Sequence, residues 1–585
     1  MKTGKRRGPE ARKRAAVAAV APYQPRWWVY AIGFAAALGF VFGVYGPAMN
    51  GPFVLDDLYL PFMAPNFPHA LPAWIGGLRP ALMFTYWLNY QTSGVETEGY
   101  HAWNVMLHWM DAVVVFFLVR RILQWAEVDR GRLDWYAAFA AGLFLLHPLQ
   151  TESVAYVASR SEVLSVLLFN SALAVFIYRR NQAISVGAAV GVLILFAGAV
   201  LSKEHTAILP AMLLLTDYFW NPGFGLSGIK KNWKLYAPIL VGGAVGGAYV
   251  LRVIRNNPTA GFAIKEFTWY QYFFTQCRMI WRYLALFVLP VGQNLDPDVA
   301  VSRNALDLGA IAGLLALVAA AAAAWIHRKR YPLAAYGWFA TLILLAPTSS
   351  FVPIRDVYAE RRTYLPFLGL LLIVMELLRR WKASGGTVAT VLVCVLAVEG
   401  GMTHGRAKIW SGAVALWQDT VMDSPQKIRP NFQLAKAYFD VGQCGDAVAQ
   451  YAKTAELAPP DFTLLVDWGL ALNCAGQPEA ALAKLEAAKR TPRPPTLSAA
   501  YLDSQIAEVY GTWKRYPEAM AALEEAAKLD PNYDMVYYYR GTLLYNEGNA
   551  ARAEGDYRRA VQLNPNNDAA RTALETVERA MQGRR

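Results

Sequence analysis

From residue 27 to about residue 401 the chain alternates long apolar runs with short polar stretches; beyond that it becomes Ala-rich, charged and soluble in character. A helix needs about 20 largely apolar residues to cross hydrocarbon, fewer where protein covers it. Runs of this kind at 27–46, 103–119, 134–147, 162–178, 183–202, 205–220, 235–254, 305–326, 331–347, 364–378 and 384–402 predict eleven crossings. One further run, FTWYQYFFTQCRMIWRYLALFVLP at 267–290, is broken by Gln271, Gln276, Arg278 and Arg282. Its mixture of aromatic residues with Arg and Gln predicts an interfacial or re-entrant helix instead.

Charge placement supports this count. Residues 1–26 carry eight Lys and Arg against one Glu, a basic tail expected on the cytoplasmic side of the first span. The run after it is too long for the core of a cleaved signal peptide and is followed by many more. With the N-terminus inside and eleven crossings, Arg120/Arg121/Arg130/Arg132, Arg179/Arg180, Lys230/Lys231/Lys234, Arg328/Lys329/Arg330 and Arg379/Arg380/Lys382 all fall inside. A twelfth crossing at 267–290 would strand the last two clusters outside. The net charge of +13 is thus spread over cytoplasmic loops and does not indicate nucleic acid. Composition agrees: 55% of the 585 residues are hydrophobic and 17% charged, against about 25% charged in an ordinary soluble domain.

The last part of the chain repeats with a period of 34 residues. Repeats begun at Ile428, Phe462, Ala500 and Asp534 align Ala435, Gly469, Ala507 and Gly541, then Ala447, Ala481, Ala519 and Ala553, then Tyr451, Leu485, Leu523 and Tyr557. Pro459, Pro531 and Pro565 close three of them. This is the tetratricopeptide pattern, two antiparallel helices per repeat with small residues where they meet. The predicted units are a tail at 1–26, a membrane unit at 27–408, a half-repeat junction at 409–427 and a solenoid at 428–585 with about four repeats and a capping helix. The first helix of the half-repeat would be the end of the last span, tying the solenoid rigidly to the membrane unit. Phe432, Phe439, Tyr501, Tyr538 and Tyr545 are expected to line a groove for an extended polypeptide, although plain solvated helix faces would look the same. The cysteines form no metal spacing; Cys444 and Cys474 fall in neighbouring repeats and could pair in an oxidising compartment, though two free thiols are the favoured expectation, a bridge being geometrically demanding.

The same topology sorts the ionisable residues of the membrane unit. Asp56, Asp57, Arg79, His101, His147, Glu152, Arg160, Glu162, Lys203, Glu204, Glu360, Arg361 and Arg362 all reach the outer side, from six or more segments. Charges at a membrane edge are costly and point to function. Two adjacent carboxylates beside a low-dielectric phase cannot both ionise cheaply, so one pKa should rise. A poised carboxylate can take a proton from a hydroxyl, and arginines opposite it can hold a phosphate. Helix caps and interfacial anchors would use the same residue types. Glu152 with Asp56 could ligate a divalent cation, though no dense carboxylate cluster stands out.

The stretches FVLDDLYL, RPALMFTYWLNY with YHAWNVMLH, LFLLHPLQTESVAYVASRSEVLSVLLF, LSKEHTAILPAMLLLTDYFW and VYAERRTYLPFLGLLL occur in that order. Together with the repeats they resemble the transmembrane-and-tetratricopeptide-repeat family of O-mannosyltransferases. The resemblance implies an all-α GT-C membrane fold followed by the tetratricopeptide solenoid. It also implies a polyprenyl-phosphate sugar donor, mannose or a similar hexose, and transfer to Ser or Thr of a polypeptide. The family's acidic pair lands on Asp56 and Asp57, its HP-x-x-TE motif on His147, Pro148, Thr151 and Glu152, and its R-x-[ED] on Arg160 and Glu162. Its Lys-Glu pair lands on Lys203 and Glu204, and E-R-x-x-Y-L-P on Glu360, Arg361, Tyr364, Leu365 and Pro366. Arg361, Arg362, Arg160 and Lys203 are then expected to bind the donor phosphate. His147, Glu152, Glu162, Glu204, Glu360, Arg79 and His101 would orient donor and acceptor. Spacing leaves open which aspartate is the base, and a divalent metal remains an open possibility. The expected location is a bacterial inner membrane, multi-pass, with the solenoid in the periplasm. The competing reading is a catalytically inert membrane-anchored scaffold whose repeats assemble envelope proteins. A transporter should instead place ionisable groups near the midplane in repeated halves.

Overall fold

The computed structural model describes residues 27–64, 67–179, 181–256 and 260–582. The basic tail predicted at 1–26 and Arg180 lie outside the described residues. Helices make up the architecture, and the β contact among the described residues is a single antiparallel bridge between Ala260 and Ile354.

The first unit runs α1 (Trp27–Tyr45), α2 (Pro80–Ser93), α3 (Thr97–Trp125), α4 (Arg130–Leu146), α5 (Arg160–Ile177), α6 (Val186–Val200) and α7 (Leu209–Trp220). It continues with α8 (Trp233–Asn256), α9 (Trp269–Val288), α10 (Ala310–Ile326), α11 (Pro332–Leu345), α12 (Phe367–Arg380) and α13 (Gly385–Ile409). Local chemistry sets the starts. Proline occupies the first turn of α2 and α11, where its missing N–H costs nothing. The side chains of Ser185, Thr268 and Ser384 accept the free N–H groups of α6, α9 and α13.

Five helical segments among the described residues are long and apolar enough to cross a membrane: Trp27–Ala48, Thr97–Trp125, Val157–Ile177, Asp307–Ile326 and Gly385–Ile409. The other six predicted crossings fall on α4, α6, α7, α8, α11 and α12, which are shorter or more polar. The segment at 267–290 forms α9, whose buried residues Tyr272, Gln276, Met279, Ile280, Tyr283 and Leu286 recur at helical spacing. Tyr270 and Val288 remain exposed on its other face. This one-sided helix has the amphipathic character expected of an interfacial segment.

The second unit starts with α14 (Ala413–Asp423), three residues after α13 ends. Four helix pairs follow: α15 (Ile428–Asp440) with α16 (Cys444–Leu457), α17 (Phe462–Cys474) with α18 (Pro478–Ala488), α19 (Tyr501–Thr512) with α20 (Tyr516–Leu529), and α21 (Asp534–Asn546) with α22 (Ala550–Leu563). α23 (Asp568–Gln582) caps the stack. The small residues of the repeat sit where helices touch. A Cβ on Gly469 would meet Leu485 at 3.0 Å, and one on Gly541 would meet Tyr557 at 2.9 Å. The cysteine expectation is corrected: Cys444 and Cys474 are bridged, with Cα atoms 5.7 Å apart across neighbouring repeats. Their separation of 30 positions brings the two Cys-bearing helix ends to the same edge of the stack, which the spacing alone did not reveal.

The units are clamped together through the loop that follows α9. The side chain of Asn294 donates to the Thr420 carbonyl at 3.1 Å, and the Ser424 hydroxyl accepts from Asp298 N at 3.0 Å. Lys427 Nζ reaches Asp296 at 2.6 Å, and Arg406 pairs with Asp419 at 2.5 Å.

Candidate functional site

Asp56 and Asp57 sit on a short 3-10 turn, Leu55–Tyr59, between α1 and α2. The turn separates them completely. Asp57 is buried, and its carboxylate accepts from Val54 N at 3.0 Å and Ala158 N at 2.6 Å. It therefore pins the loop between α1 and α2 onto the turn that precedes α5. Burial pushes the Asp57 carboxyl up to about 8, against these two donors. Asp56 is exposed, and its backbone N–H donates to the Tyr156 hydroxyl at 2.8 Å. The rise in pKa expected for one member of the pair falls on Asp57, which leaves Asp56 as the carboxylate open to a reactant.

Around this turn cations and carboxylates alternate. Arg79 makes a two-point pair with Glu204, Nε to Oε1 at 2.9 Å and Nη2 to Oε2 at 2.8 Å. Lys203 Nζ lies 2.5 Å from Glu162 Oε1, and His205 Nε2 lies 3.4 Å from the other oxygen. Arg361 pairs with Glu152 through Nη1, while its backbone N donates to Glu152 Oε2 at 2.9 Å. The Arg361 guanidinium also lies 6.0 Å from the Tyr156 ring centre and 3.8 Å from Asp356. Burial works against the Arg361 charge, but Glu152, Tyr156 and Asp356 together hold it above the ordinary arginine range. Lys203 is held below the ordinary lysine value, chiefly by burial.

The four cations expected at a phosphate divide into two pairs. Arg361 and Lys203 keep part of their side chains in solvent, 22% and 17%. Arg160 is fully buried and its N–H groups are taken by Asn104 at 2.9 Å, Asn89 at 2.7 Å and the Tyr100 carbonyl at 3.0 Å, with the Tyr86 ring 4.4 Å away. Arg362 is buried too, donating to Tyr272 Oη and to the Val357 and Asp356 carbonyls. The geometry of Arg160 and Arg362 is that of groups which shape the loops, and Arg79 offers a more accessible cation, its side chain 38% exposed.

The remaining predicted residues also divide. Glu152 and Glu162 meet at the charged rim with Arg361 and Lys203, as does Glu204 with Arg79. His147 is buried, stacked 5.4 Å from Phe287, accepting from Leu149 N through Nδ1, so its Nε2–H donates to the Phe287 carbonyl at 3.0 Å. His101 contacts the Gly51 carbonyl at 3.1 Å. Glu360 is buried and accepts from Gln293 Nε2 at 2.8 Å and Asn294 N at 2.7 Å; burial pushes it up to about 7. These three hold loops around the rim and do not open onto it. Among the described residues no three His, Cys, Asp or Glu side chains group closely enough to hold a metal ion. Both oxygens of Glu152 are engaged by Arg361, so a cation at Asp56 and Glu152 would have to compete with that pair.

Two contributors have no role among the sequence-based expectations, although Asp356 is one of the ionisable residues expected on the outer side. Tyr156 joins Asp56 to Arg361, and Asp356 joins Arg361 to the solenoid. An aromatic residue inside the HPLQTESVAY stretch and an acid five residues before Arg361 give no periodic or motif signal of their own.

In the solenoid, Phe432 packs 5.8 Å from Tyr451, and Phe439 and Tyr501 are half-buried against neighbouring repeats. Tyr538 and Tyr545 line a cavity of about 450 Å³ with Tyr557, Asp568, Thr572 and Thr576, between α21, α22 and α23. The aromatic groove therefore lies at the end of the stack, and the first three residues belong more to its packing.

The tetratricopeptide repeat family matches residues 504–533 and 535–567. Protein O-mannosyl-transferase F38B6.6 of Caenorhabditis elegans is 23% identical over 65% of this chain and 54% of its own length. Human protein O-mannosyl-transferase TMTC1 is 24% identical over 73% of this chain and 55% of its own, and mouse protein O-mannosyl-transferase TMTC3 is 24% identical over 84% and 57%. Homologues of this chain are thus protein O-mannosyl-transferases of the transmembrane-and-tetratricopeptide-repeat family, and the chain spans a little over half the length of these relatives. The crystal structure of MamA is 19% identical over 26% of this chain and 85% of that one, with a TM-score of 0.22.

Proposed function

We propose that the chain is a membrane glycosyltransferase that moves a hexose, mannose or a close analogue, from a polyprenyl-phosphate carrier to Ser or Thr hydroxyls of a polypeptide. The observation that carries this reading is the exposed Asp56 on the same rim as the partly exposed cations Arg361, Lys203 and Arg79, its backbone N–H bonded to the Tyr156 hydroxyl and the Tyr156 ring 6.0 Å from the Arg361 guanidinium. The similarity to named protein O-mannosyl-transferases supports the chemistry.

In the proposed step Asp56 takes the proton of the acceptor hydroxyl as its oxygen bonds to the anomeric carbon. The bond from that carbon to the phosphate oxygen breaks, and the electron pair leaves with the polyprenyl phosphate. Arg361, with Lys203, meets the charge gained by the leaving phosphate, an interaction that strengthens as the bond breaks. Glu152 and Glu162 keep the two cations extended toward the rim. The solenoid, continuous with α13, presents the acceptor.

A bacterial inner membrane with the repeats in the periplasm is part of the proposal. The Cys444–Cys474 bridge supports it, because structural disulfides persist in oxidising compartments. The scaffold reading draws on a different observation, that Arg79, Lys203 and Arg361 are each already paired with a carboxylate.

One assay separates the two. Purified protein in lipid nanodiscs receives labelled polyprenyl-phosphate mannose and periplasmic extract, and labelled polypeptide is counted. Transfer by wild type that Asp56→Asn and Arg361→Gln both suppress supports the enzyme. Absence of transfer from any polyprenyl-phosphate hexose, with the protein folded, supports the scaffold.

A further inference from the structure

Asp356 stands between two arginines from different units. Its Oδ2 is 3.8 Å from Arg361 Nη2 in the membrane unit, and its Oδ1 accepts from Arg429 Nη2 at 3.0 Å. Arg429 is the second residue of α15, the opening helix of the first full repeat. It is itself anchored: its Nε and Nη2 both reach the carboxylate of the buried Asp296, which Lys427 also holds. Arg361 meanwhile meets Glu152 with Nη1 and its backbone N, so Nη2 is the face of its guanidinium turned toward Asp356.

The two distances are unequal in a telling direction. Asp356 is within hydrogen-bond range of the solenoid's arginine and beyond it for the rim's arginine. A carboxylate beside two guanidinium groups approaches whichever is better placed, and here the Asp296 anchor fixes Arg429 in the better place. Burial opposes the Asp356 charge, but Arg429 and Arg361 hold it ionised. Without Arg429 the charge of Asp356 would face Arg361, with the buried Arg362 bonded to the Asp356 carbonyl behind it, and a two-sided pair with Glu152 and Asp356 would close the Arg361 guanidinium off.

We propose that Arg429 is a positioning residue for the rim: by holding Asp356 away, the first tetratricopeptide helix leaves Arg361 Nη2 open to an incoming phosphate. This rests on the glycosyltransferase reading for the identity of the phosphate, a polyprenyl-phosphate headgroup. It makes the solenoid part of the donor site, beyond any role in acceptor binding.

The test uses full-length protein in nanodiscs and measures the equilibrium affinity for labelled polyprenyl phosphate. Arg429→Gln is expected to weaken binding about threefold to tenfold, as a coupling between neighbouring charges would. Asp356→Asn alone is expected to bind at least as well as wild type. The double variant Arg429→Gln/Asp356→Asn is expected to regain wild-type affinity. That rescue is decisive, because removing Asp356 cannot repair the lost Arg429–Asp296 anchor. Unchanged affinity in Arg429→Gln, or a double variant as weak as the single, overturns the proposal. If wild type binds no polyprenyl phosphate, the glycosyltransferase reading fails, and amide exchange over residues 356–363 decides the bridge separately. Exchange slowed in Arg429→Gln and restored in the double variant supports the bridge; exchange the same in all three proteins overturns it.

Discussion

Leu55 has a φ of +49°, in the left-handed region that holds a non-glycine residue at a cost of about 1–3 kcal/mol. The kink it introduces lets two neighbouring aspartates face opposite ways, one into the protein and one into solvent. Their substitutions should therefore fail differently. Asp56→Asn is expected to lower transfer by roughly 10²–10⁴, the range for losing a general base, with no change in melting temperature. Asp57→Asn is expected to act on stability. Its folded pKa of about 8 lies above the ordinary carboxylate value, so the folded protein holds a proton that the unfolded chain releases. The stability this contributes is complete at low pH and is lost as pH rises through about 8, by at most about 1.4 kcal/mol per pH unit. Asn cannot titrate, so the melting temperature of Asp57→Asn relative to wild type should climb between pH 5 and pH 8. Thermal unfolding followed by tryptophan fluorescence across that range checks the sign, and a difference that is flat with pH would show Asp57 ionised throughout.

Helices α11 and α12 meet backbone to backbone. A Cβ on Gly337 would lie 2.4 Å from the Gly369 carbonyl, and one on Gly369 would lie 2.5 Å from the Gly337 carbonyl and 2.4 Å from Thr341 Oγ1. Small residues at such a crossing are how membrane helices approach without a hydrophobic driving force between them. Gly369→Ala is expected to force the pair apart and cost about 1–3 kcal/mol, the usual penalty of overpacking. A lower melting temperature and a reduced yield of monodisperse protein would register it, and unchanged values would mean that the helices part easily. This contact illustrates what the sequence could convey. Helices announce themselves by period, so the repeats and the one-sided face of α9 were legible, and the small positions Gly469 and Gly541 followed from the repeat alignment. Contacts between loops carry no period. Arg160 and Arg361 look alike in sequence, each inside a polar stretch between apolar runs, yet one is fully buried among Asn89, Asn104 and Tyr86 and the other opens onto the rim. Topology leads to the expectation of an outer location for both; which way each side chain turns is set by partners 56 to 209 residues away.

Taken as one body, the protein must put its solenoid on the side where the rim lies. The Lys427 and Arg429 pairs with Asp296, and Arg429 with Asp356, join the first repeat to the same outer loops that carry Arg361. The first predicted span has its basic tail inside, so rim and solenoid lie outside only if the number of crossings is odd. Eleven crossings put every rim loop and the solenoid outside; the five helical segments long enough to cross unaided would also put the solenoid outside but would leave the Glu152 and Arg361 loops inside, against the Arg429–Asp356 pair, so that pair favours crossing by the shorter helices as well. The disulfide makes it measurable, because Cys277 is buried and Cys394 lies within α13. On spheroplasts with an intact inner membrane, a membrane-impermeant maleimide is expected to add to the solenoid thiols only after an impermeant reductant has opened Cys444–Cys474. Cys444→Ser/Cys474→Ser should abolish that addition. Modification that requires lysis would put the repeats in the cytoplasm. The rim would move with them, because the Asp296 and Asp356 pairs allow the two no separate side, and the donor would then have to present its phosphate from the opposite leaflet.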